Sequence, residues 1–375
     1  MKITSVTTTP LLVPYKRPYY WAQGVIHGAE VLLVTVETDA GVTGYGESIA
    51  TPNAAAVAGF LKQAGAMCVG QDPFQNARLM QDAYHGLFQA LGTCSAPRFG
   101  GQVLAGLEMA LWDVMGKSVD RPVHQLLGGA VRDEISYFGF AMGETAQEVA
   151  EDAAVLADSG IETIYLKVGR GDALDLATVQ AVRDVIGPDM RLRVDANEKW
   201  TPVRANRMIA EMAKCGVEMV EQPTPADSLA ALASVRRKSP VAIGADQVNF
   251  TPEDVAATLR ADAADLIVLG LHETGGINRF IKAGRIAEAA GVDICIHGLY
   301  ETGITTCAAL QAAAVLPNLD NANQYMNHFL AWDILDGPDL QLENGRLPVN
   351  DRPGLGFTLD FDAVQRAKDL WLAKD

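Results

Sequence analysis

Leu192-Arg193-Val194-Asp195, Val217-Glu218-Met219-Val220-Glu221 and Val241-Ala242-Ile243-Gly244-Ala245-Asp246 are three short apolar runs, each closed by an acid. The acids stand 26 and then 25 residues apart, the length of one strand, one helix and two short loops. An acid that recurs once per βα unit, at the C-terminal end of its strand, meets its neighbours at one mouth of a parallel barrel. Three carboxylates brought together repel one another unless a hard cation holds them, and ligation by oxygen alone suits Mg²⁺. The plain alternative is that each acid caps the helix that follows it. The regular phase favours the metal site.

Short apolar runs alternate with amphipathic helices from about residue 134 onward. Strands are predicted over Tyr137–Met142, Glu162–Val168, Arg191–Asp195, Val217–Glu221, Val241–Asp246, Asp265–Leu269, Val292–His297 and Asn321–Tyr325. Thr201-Pro202 and Thr251-Pro252 each place a capping residue before a proline at the first helical position. Gly160, Gly187, Gly216 and Gly291 fall just past helix ends, where a left-handed residue is wanted. The pattern predicts an α/β protein with a TIM-like (β/α)7β barrel over residues 131–330.

Ahead of the barrel, residues 2–13 alternate like a strand, and Glu30–Thr38 and Val42–Glu47 flank the turn Asp39-Ala40-Gly41. Helical patterns follow over 54–69, 73–91 and 102–118. Strands and then helices, segregated, describe an α+β capping domain over residues 1–130. Within it, Tyr15-Lys16-Arg17-Pro18-Tyr19-Tyr20-Trp21 is too aromatic for an ordinary connector and reads as a partner contact or a lid over a ligand. Residues 331–375 are polar and rich in turns, and are predicted to pack back on the capping domain.

A chain of 375 residues exceeds one domain, since a barrel alone takes about 250. A formal net charge of −16 argues against nucleic acid or an anionic membrane as partner. An anionic substrate then needs local positive charge from a metal or lysines. The cysteines (Cys68, Cys94, Cys215, Cys295 and Cys307) are odd in number, scattered and without metal-ligand spacing, the usage of a reduced intracellular protein. No signal core and no run of membrane-spanning length is present, so the cytoplasm is the expected location. Gly116-Lys117-Ser118 ends like a phosphate loop, but Leu111 stands where the leading glycine is required. There is no Gly-x-Ser-x-Gly elbow to support serine hydrolysis.

The strand-end phase of the three acids extends outward to further polar residues. Lys167 ends the strand before Asp195, His297 ends the seventh, and Gln324 or its neighbour Asn323 ends the eighth. A lysine beside a divalent cation has its pKa pushed down and can serve as a base near neutral pH. The competing readings are a structural ion pair for Lys167 and a hydrogen-bonded core residue for His297.

Lys167-Val168-Gly169, Val194-Asp195-Ala196-Asn197, Glu221-Gln222-Pro223 and Gly244-Ala245-Asp246 together resemble the enolase superfamily, and within it the mandelate racemase and muconate lactonizing enzyme branch. Leu111-Trp112-Asp113, Gly116-Lys117, Pro122-Val123, Leu126-Leu127-Gly128-Gly129, Gly275-Gly276-Ile277 and Pro353-Gly354-Leu355-Gly356 resemble that branch too, so the likeness covers nearly the whole chain. The resemblance implies that Mg²⁺ on Asp195, Glu221 and Asp246 binds a substrate carboxylate. A base then removes the neighbouring proton and the metal stabilises the enediolate. By the same resemblance Lys167 is the second lysine of the family's Lys-x-Lys motif, the base on one face. His297 is the histidine that serves the other face in racemase-like members. Substrate selection falls to capping loops, here Tyr19, Tyr20, Trp21 and His27 with Thr51 to Asn53. Tyr165, Asn197, Glu301 and Gln324 are further candidate substrate contacts. A homo-oligomer is the usual assembly.

Three positions depart from the family pattern. Tyr165 stands where the first lysine of Lys-x-Lys belongs, and a phenol supplies a hydrogen bond but no charge. Gly270 occupies the sixth-strand position of a second lysine or of the aspartate that orients the histidine. His272 and Glu273 are its nearest substitutes in sequence. Gln247 replaces a glutamate that often follows the third ligand. These losses exclude a lysine–lysine arrangement and leave the histidine–aspartate dyad incomplete. One base and one acid suit β-elimination, so the expected reaction is dehydration of a hydroxy acid, sugar acids included, ahead of racemisation, epimerisation or cycloisomerisation. Aromatic lid residues sit awkwardly with a fully polar substrate, which keeps amino acid derivatives, betaines and lactones in view. From other classes, a Schiff-base aldolase would use Lys167 without three phased acids, and a non-catalytic Mg²⁺-binding barrel would tolerate Tyr165 and Gly270.

Overall fold

Described in the computed structural model are residues 1–90, 93–94 and 96–374. Strands β1 (Ile3–Trp21), β2 (Gly24–Thr38) and β3 (Thr43–Ile49) form an antiparallel sheet in chain order. Alternation along β2 serves two cores. Leu32, Val34 and Val36 pack with the capping helices, and Val31 and Leu33 join the barrel core. Those helices are α1 (Ala54–Cys68), α2 (Asn76–Phe88) and α3 (Pro97–Ser118). The first closely matches expectation. The second begins at Asn76, after a 3₁₀ turn capped by Asp72, and the expected end at residue 91 lies outside the described residues. The third starts five residues earlier than its apolar spacing suggests, because Pro97 takes the first helical position.

Strands β4 (Gly139–Ala141), β5 (Thr163–Lys167), β6 (Arg191–Asp195), β7 (Met219–Glu221), β8 (Ala242–Ala245), β9 (Leu266–Gly270) and β10 (Asp293–His297) form a parallel seven-stranded sheet in chain order. Helices α4 (Ala146–Asp158), α5 (Asp172–Ile186), α6 (Pro202–Ala213), α7 (Leu229–Arg236), α8 (Pro252–Arg260), α9 (Leu271–Thr274), α10 (Ile277–Ala289) and α11 (Gly303–Ala313) lie between or after the strands. With helices outside and packed side chains within, both strand faces are buried, which is why the strands read as apolar runs and not as alternations. Register fixes the site: Lys167 pairs with Asp195, Asp195 with Glu221, and Gly270 with His297.

The expected eighth strand, Asn321–Tyr325, is not a strand. The segment joins the barrel by single bridges, Ile294 to Leu319 and Tyr137 to Asn323. Backbone bonds tie it to both neighbours, Gln324 N–H to Ile296 O at 3.0 Å and Phe138 N–H to Asn323 O at 3.0 Å. The side chain of Asn323 adds to them, accepting from Ile296 N–H at 2.8 Å and donating to Ser136 O at 3.0 Å, and together these bonds close the gap between β10 and β4.

Buried acids of the capping domain clamp it to the barrel. Glu108 on α3 accepts from Trp112 Nε1 and from the N–H groups of Ile277 and Asn278 at the start of α10. Gly276 must be glycine, since it has φ +102° and any Cβ would collide with the Glu108 carboxylate. Glu47 on β3, fully buried, accepts from Thr302 N–H at 3.0 Å, Thr302 Oγ1 at 2.7 Å and Thr305 N–H at 3.1 Å. Glu47→Ala strands three buried donors and is expected to destabilise the fold by about 3 kcal/mol or more. Denaturant unfolding measures this, and a loss under about 1 kcal/mol would show that the clamp contributes little.

The C-terminal tail touches both units. Arg346–Pro348 pairs antiparallel with Glu134–Ser136, Leu355 N–H donates to Asp113 Oδ1, and helix α12 (Phe361–Leu372) lies against β1. Cys68, Cys215, Cys295 and Cys307 are free thiols; the side chain of Cys94 lies outside the described residues. Among the described residues no helix is long and apolar enough to cross a membrane.

Candidate active site

Two ion pairs flank a row of buried acids at the C-terminal ends of the strands. On one side Lys167 Nζ lies 2.6 Å from Asp195 Oδ2. Burial lowers the lysine pKa, but Asp195, Tyr19 and Glu221 more than offset it and hold the group well above its ordinary value. Asp195 is aimed by its own loop: Asn197, at φ +41°, folds its N–H back onto Asp195 Oδ1 at 2.7 Å. Gln222, at φ +32°, holds the backbone at Asp246 and not its carboxylate, its Oε1 accepting from Asp246 N–H at 3.0 Å and its Nε2 donating to Thr224 O. Left-handed conformation at two successive strand ends is strain of the kind that collects at functional sites.

Glu221 Oε2 and both carboxylate oxygens of Asp246 are buried without a hydrogen-bond partner. Unpaired buried carboxylate oxygens are costly, and the strand ends place Asp195 beside Glu221 in register, with Asp246 following the next strand, as oxygen donors. That fits a divalent cation. Burial and the charge of Asp195 push Glu221 up to about 8, against the opposing pull of Lys167 and His297. Burial also lifts Asp246 well above its ordinary range. Among the described residues the trio whose ligand atoms lie within 4.8 Å of one another is Asp246, Glu273 and His297. Within that trio, however, Glu273 and His297 already satisfy each other, so Asp246 is the member with both oxygens open.

On the other side His297 Nδ1 lies 2.7 Å from Glu273 Oε2. Burial lowers the imidazole, but Asp246 and Glu273 outweigh it and raise His297 to about 10. The sequence expectation of an incomplete dyad is therefore corrected: Glu273 supplies the acid. The reason is local geometry. α9 is a single turn starting immediately after β9, and it carries Glu273 back over the strand end. Gly270 leaves the room, since a Cβ there would lie 2.6 Å from Glu273 Oε2. The signal was present in the sequence as a small residue followed, one helical turn later, by an acid. His272 turns away, pairs with Thr305 Oγ1 at 2.9 Å, and is pulled down to about 3 by burial and by His297.

The site has aromatic walls. Lys167 Nζ sits 6.0, 5.6 and 5.4 Å from the ring centroids of Tyr19, Phe140 and Tyr165. Tyr165, in place of the expected lysine, stacks on Phe138 at 4.2 Å, and its buried hydroxyl lies beside the Glu221 carboxylate. Tyr300, beyond β10, meets Tyr19 at 6.2 Å and Trp21 at 6.3 Å, so strand β1 reaches over Lys167 to form a roof. Gln324 accepts from Gly298 N–H and reaches Glu221 Oε1 at 3.4 Å. Glu301 is buried and accepts from Leu299 N–H. Asn197 Oδ1 is buried and open.

Two candidates are not brought in. Strand alternation sends Tyr20 to the opposite face from Tyr19, under the Arg170 guanidinium at 5.4 Å. His27 is exposed. Thr51 to Asn53 are also exposed, and Asn53 is occupied as the cap of α1. Phe140 and Tyr300 are the residues the sequence reading missed. Nothing in their local pattern separates them from ordinary core and loop aromatics.

The titrations give a pH expectation. Glu221 rises from 4.5 to about 8 and His297 from 6.5 to about 10, so the folded form binds protons more tightly than the unfolded chain. The Glu221 contribution weakens as pH climbs from 4.5 to about 8; that of His297 is fully present below 6.5 and is lost through about 10. Metal-free protein should therefore melt at a lower temperature near pH 8.5 than near pH 6. Saturating Mg²⁺ should raise Tm more near pH 8.5, because ligand carboxylates must be deprotonated. A larger Mg²⁺ shift near pH 6 would contradict this account of the acids.

A parallel barrel with acids at successive strand ends, roofed by an α+β cap, defines a class of metal-dependent enzymes acting on carbon acids. Residues 3–128 match the family described as mandelate racemase / muconate lactonizing enzyme, N-terminal domain, and residues 148–364 match the enolase C-terminal domain-like family. Muconate cycloisomerase 1 of Rhodococcus opacus is 30% identical over 97% of this chain and 98% of its own. Arabinonate dehydratase of Saccharolobus solfataricus is 28% identical over 89% of each. The solved structure of dipeptide epimerase from Enterococcus faecalis V583, complexed with Mg and the dipeptide L-Leu-L-Tyr, has a TM-score of 0.88 at 28% identity and covers 96% of this chain and 100% of that one. The chain belongs to the enolase superfamily, in its mandelate racemase / muconate lactonizing enzyme branch, and is an isomerase or lyase of that group. Enzymes of this superfamily typically bind a divalent metal.

Proposed function

We propose that Asp195, Glu221 and Asp246 hold Mg²⁺ and that the enzyme dehydrates a hydroxy acid by removing the proton α to its carboxylate. The observation that carries this reading is the pair of unlike proton-transfer groups flanking the acids, Lys167 with Asp195 on one side and His297 with Glu273 on the other. When bound, Mg²⁺ supplies Lewis-acid stabilisation of the charge that grows on the substrate's carboxylate oxygens and engages the carboxylates that otherwise hold Lys167 as ammonium. The Lys167 amine takes the α-proton. The electron pair left behind forms the carbon–carbon double bond as the β carbon–oxygen bond breaks. The His297 imidazolium, oriented through Nδ1 by Glu273, gives its Nε2 proton to the departing hydroxyl, which leaves as water. In a 2,3-dihydroxy acid the α-carbon keeps its own hydroxyl, so the product is an enol that becomes a 2-keto acid. Asn197 Oδ1 is an open polar atom for a substrate hydroxyl.

The completed dyad also favours a second reading, racemisation or epimerisation, in which the same two groups take a proton from one face and return one to the other. ¹H NMR of turnover in D₂O with Mg²⁺ separates the two across a panel of hydroxy acids and amino acid derivatives. Dehydration gives a keto acid with loss of the α-proton signal. Deuterium at the α-carbon with formation of the opposite configuration, and no keto acid, would favour the second reading over the first.

A further inference from the structure

Resting on that reading of the site, we infer that the substrate is a monocarboxylate whose remainder carries no negative charge. The charges around the reacting centre carry the argument. Asp195, Glu221, Asp246 and Glu273 line it, and the buried Glu301 and Glu47 lie just behind the Tyr300 loop. Against these stand two cations, Lys167 and His297, and each is already held by an acid.

A second substrate carboxylate would need a cation of its own, because a buried unpaired charge is not tolerated. Among the described residues, the cations around the mouth are committed elsewhere. Arg170 donates to Gly143 O and Glu144 O, Arg17 pairs with Asp152, and Arg98 donates to Gln247 O. Lys199 is unpaired but exposed, with its Cβ against Gly169, and solvent screens it. What faces the substrate beyond its first carboxylate is the roof of Tyr19, Trp21 and Tyr300, with Asn197 Oδ1 as an open polar atom. Rings and neutral polar groups suit hydroxyls and hydrocarbon. They offer nothing to an anion.

Calorimetry on the Mg²⁺-loaded full-length enzyme with matched acids tests this. Gluconate and glucarate differ only at the far end, as a hydroxymethyl against a carboxylate; 2-hydroxyisocaproate and 2-hydroxyglutarate form a second pair of similar length. At least one monoacid is expected to bind more tightly than its diacid partner by about tenfold or more. Tyr300→Arg, which places a cation in the roof, should strengthen diacid binding and narrow that gap. Diacids that bind as well as or better than their partners overturn the inference, as does failure of every monoacid to bind at about 10 mM. Deuterium exchange at the α-carbon of the same acids keeps the two claims apart. Binding preference without exchange removes the catalytic reading and leaves the substrate class. Exchange of diacids and monoacids alike does the reverse.

Discussion

Lys167→Met is expected to lower α-proton exchange by about 10³-fold, the range for loss of a positioned base. Mg²⁺ binding should survive and strengthen, because the ammonium that competes for Asp195 is gone. The two effects in opposite directions distinguish loss of a base from collapse of the site. Methionine fills the aromatic enclosure of Tyr19, Phe140 and Tyr165 without charge, so the fold should hold. Exchange within a few-fold of wild type would remove Lys167 from the chemistry. Trapping of a substrate imine by borohydride in the wild-type enzyme would instead revive the aldolase reading.

Glu273→Gln is expected to cost about 10² to 10⁴-fold in turnover. The amide keeps the shape but withdraws the negative charge that helps hold His297 at about 10. The loss should be steeper at alkaline pH, where the less basic imidazole has already given up its proton. Gly270→Ala should act in the same direction, since its Cβ would crowd Glu273 Oε2 and push the carboxylate off the imidazole. Turnover by Glu273→Gln close to wild type across the pH range would show that His297 needs no acid partner. Measurement of kcat and KM separately matters here: a positioning role predicts loss in kcat with KM little changed.

The barrel was legible because β5, β6, β7 and β10 end in a polar residue after an apolar run, and Asp246 follows β8 directly, a pattern that burial on both faces writes into the sequence. Asp195, Glu221 and Asp246 could be found by phase alone, and the register of β5, β6 and β7 shows why, with Lys167, Asp195 and Glu221 as direct neighbours across strands. The eighth strand failed because its segment joins its neighbours by isolated bridges and by side-chain bonds of Asn323 in place of a regular ladder. Glu273 was visible only as a nearby acid, since its direction depends on a one-turn helix too short to show a pattern. Tyr19 and Tyr20 could not be told apart for the same kind of reason: aromatic content marks a lid, but the phase of a long bulged strand decides which ring faces inward. β1 slips register between Pro14 and Tyr19, so counting by twos from its start misassigns the tip.

The central claim is that one divalent cation on three strand-end acids makes Lys167 and His297 competent to move an α-proton. Titrating Mg²⁺ into metal-stripped enzyme while following α-proton exchange in D₂O by ¹H NMR tests it most directly. The account predicts no exchange in chelator, exchange that rises with Mg²⁺ and saturates at one ion per chain, and loss of that response in Glu221→Gln. Exchange that persists in chelator, or that is indifferent to Glu221, would contradict it.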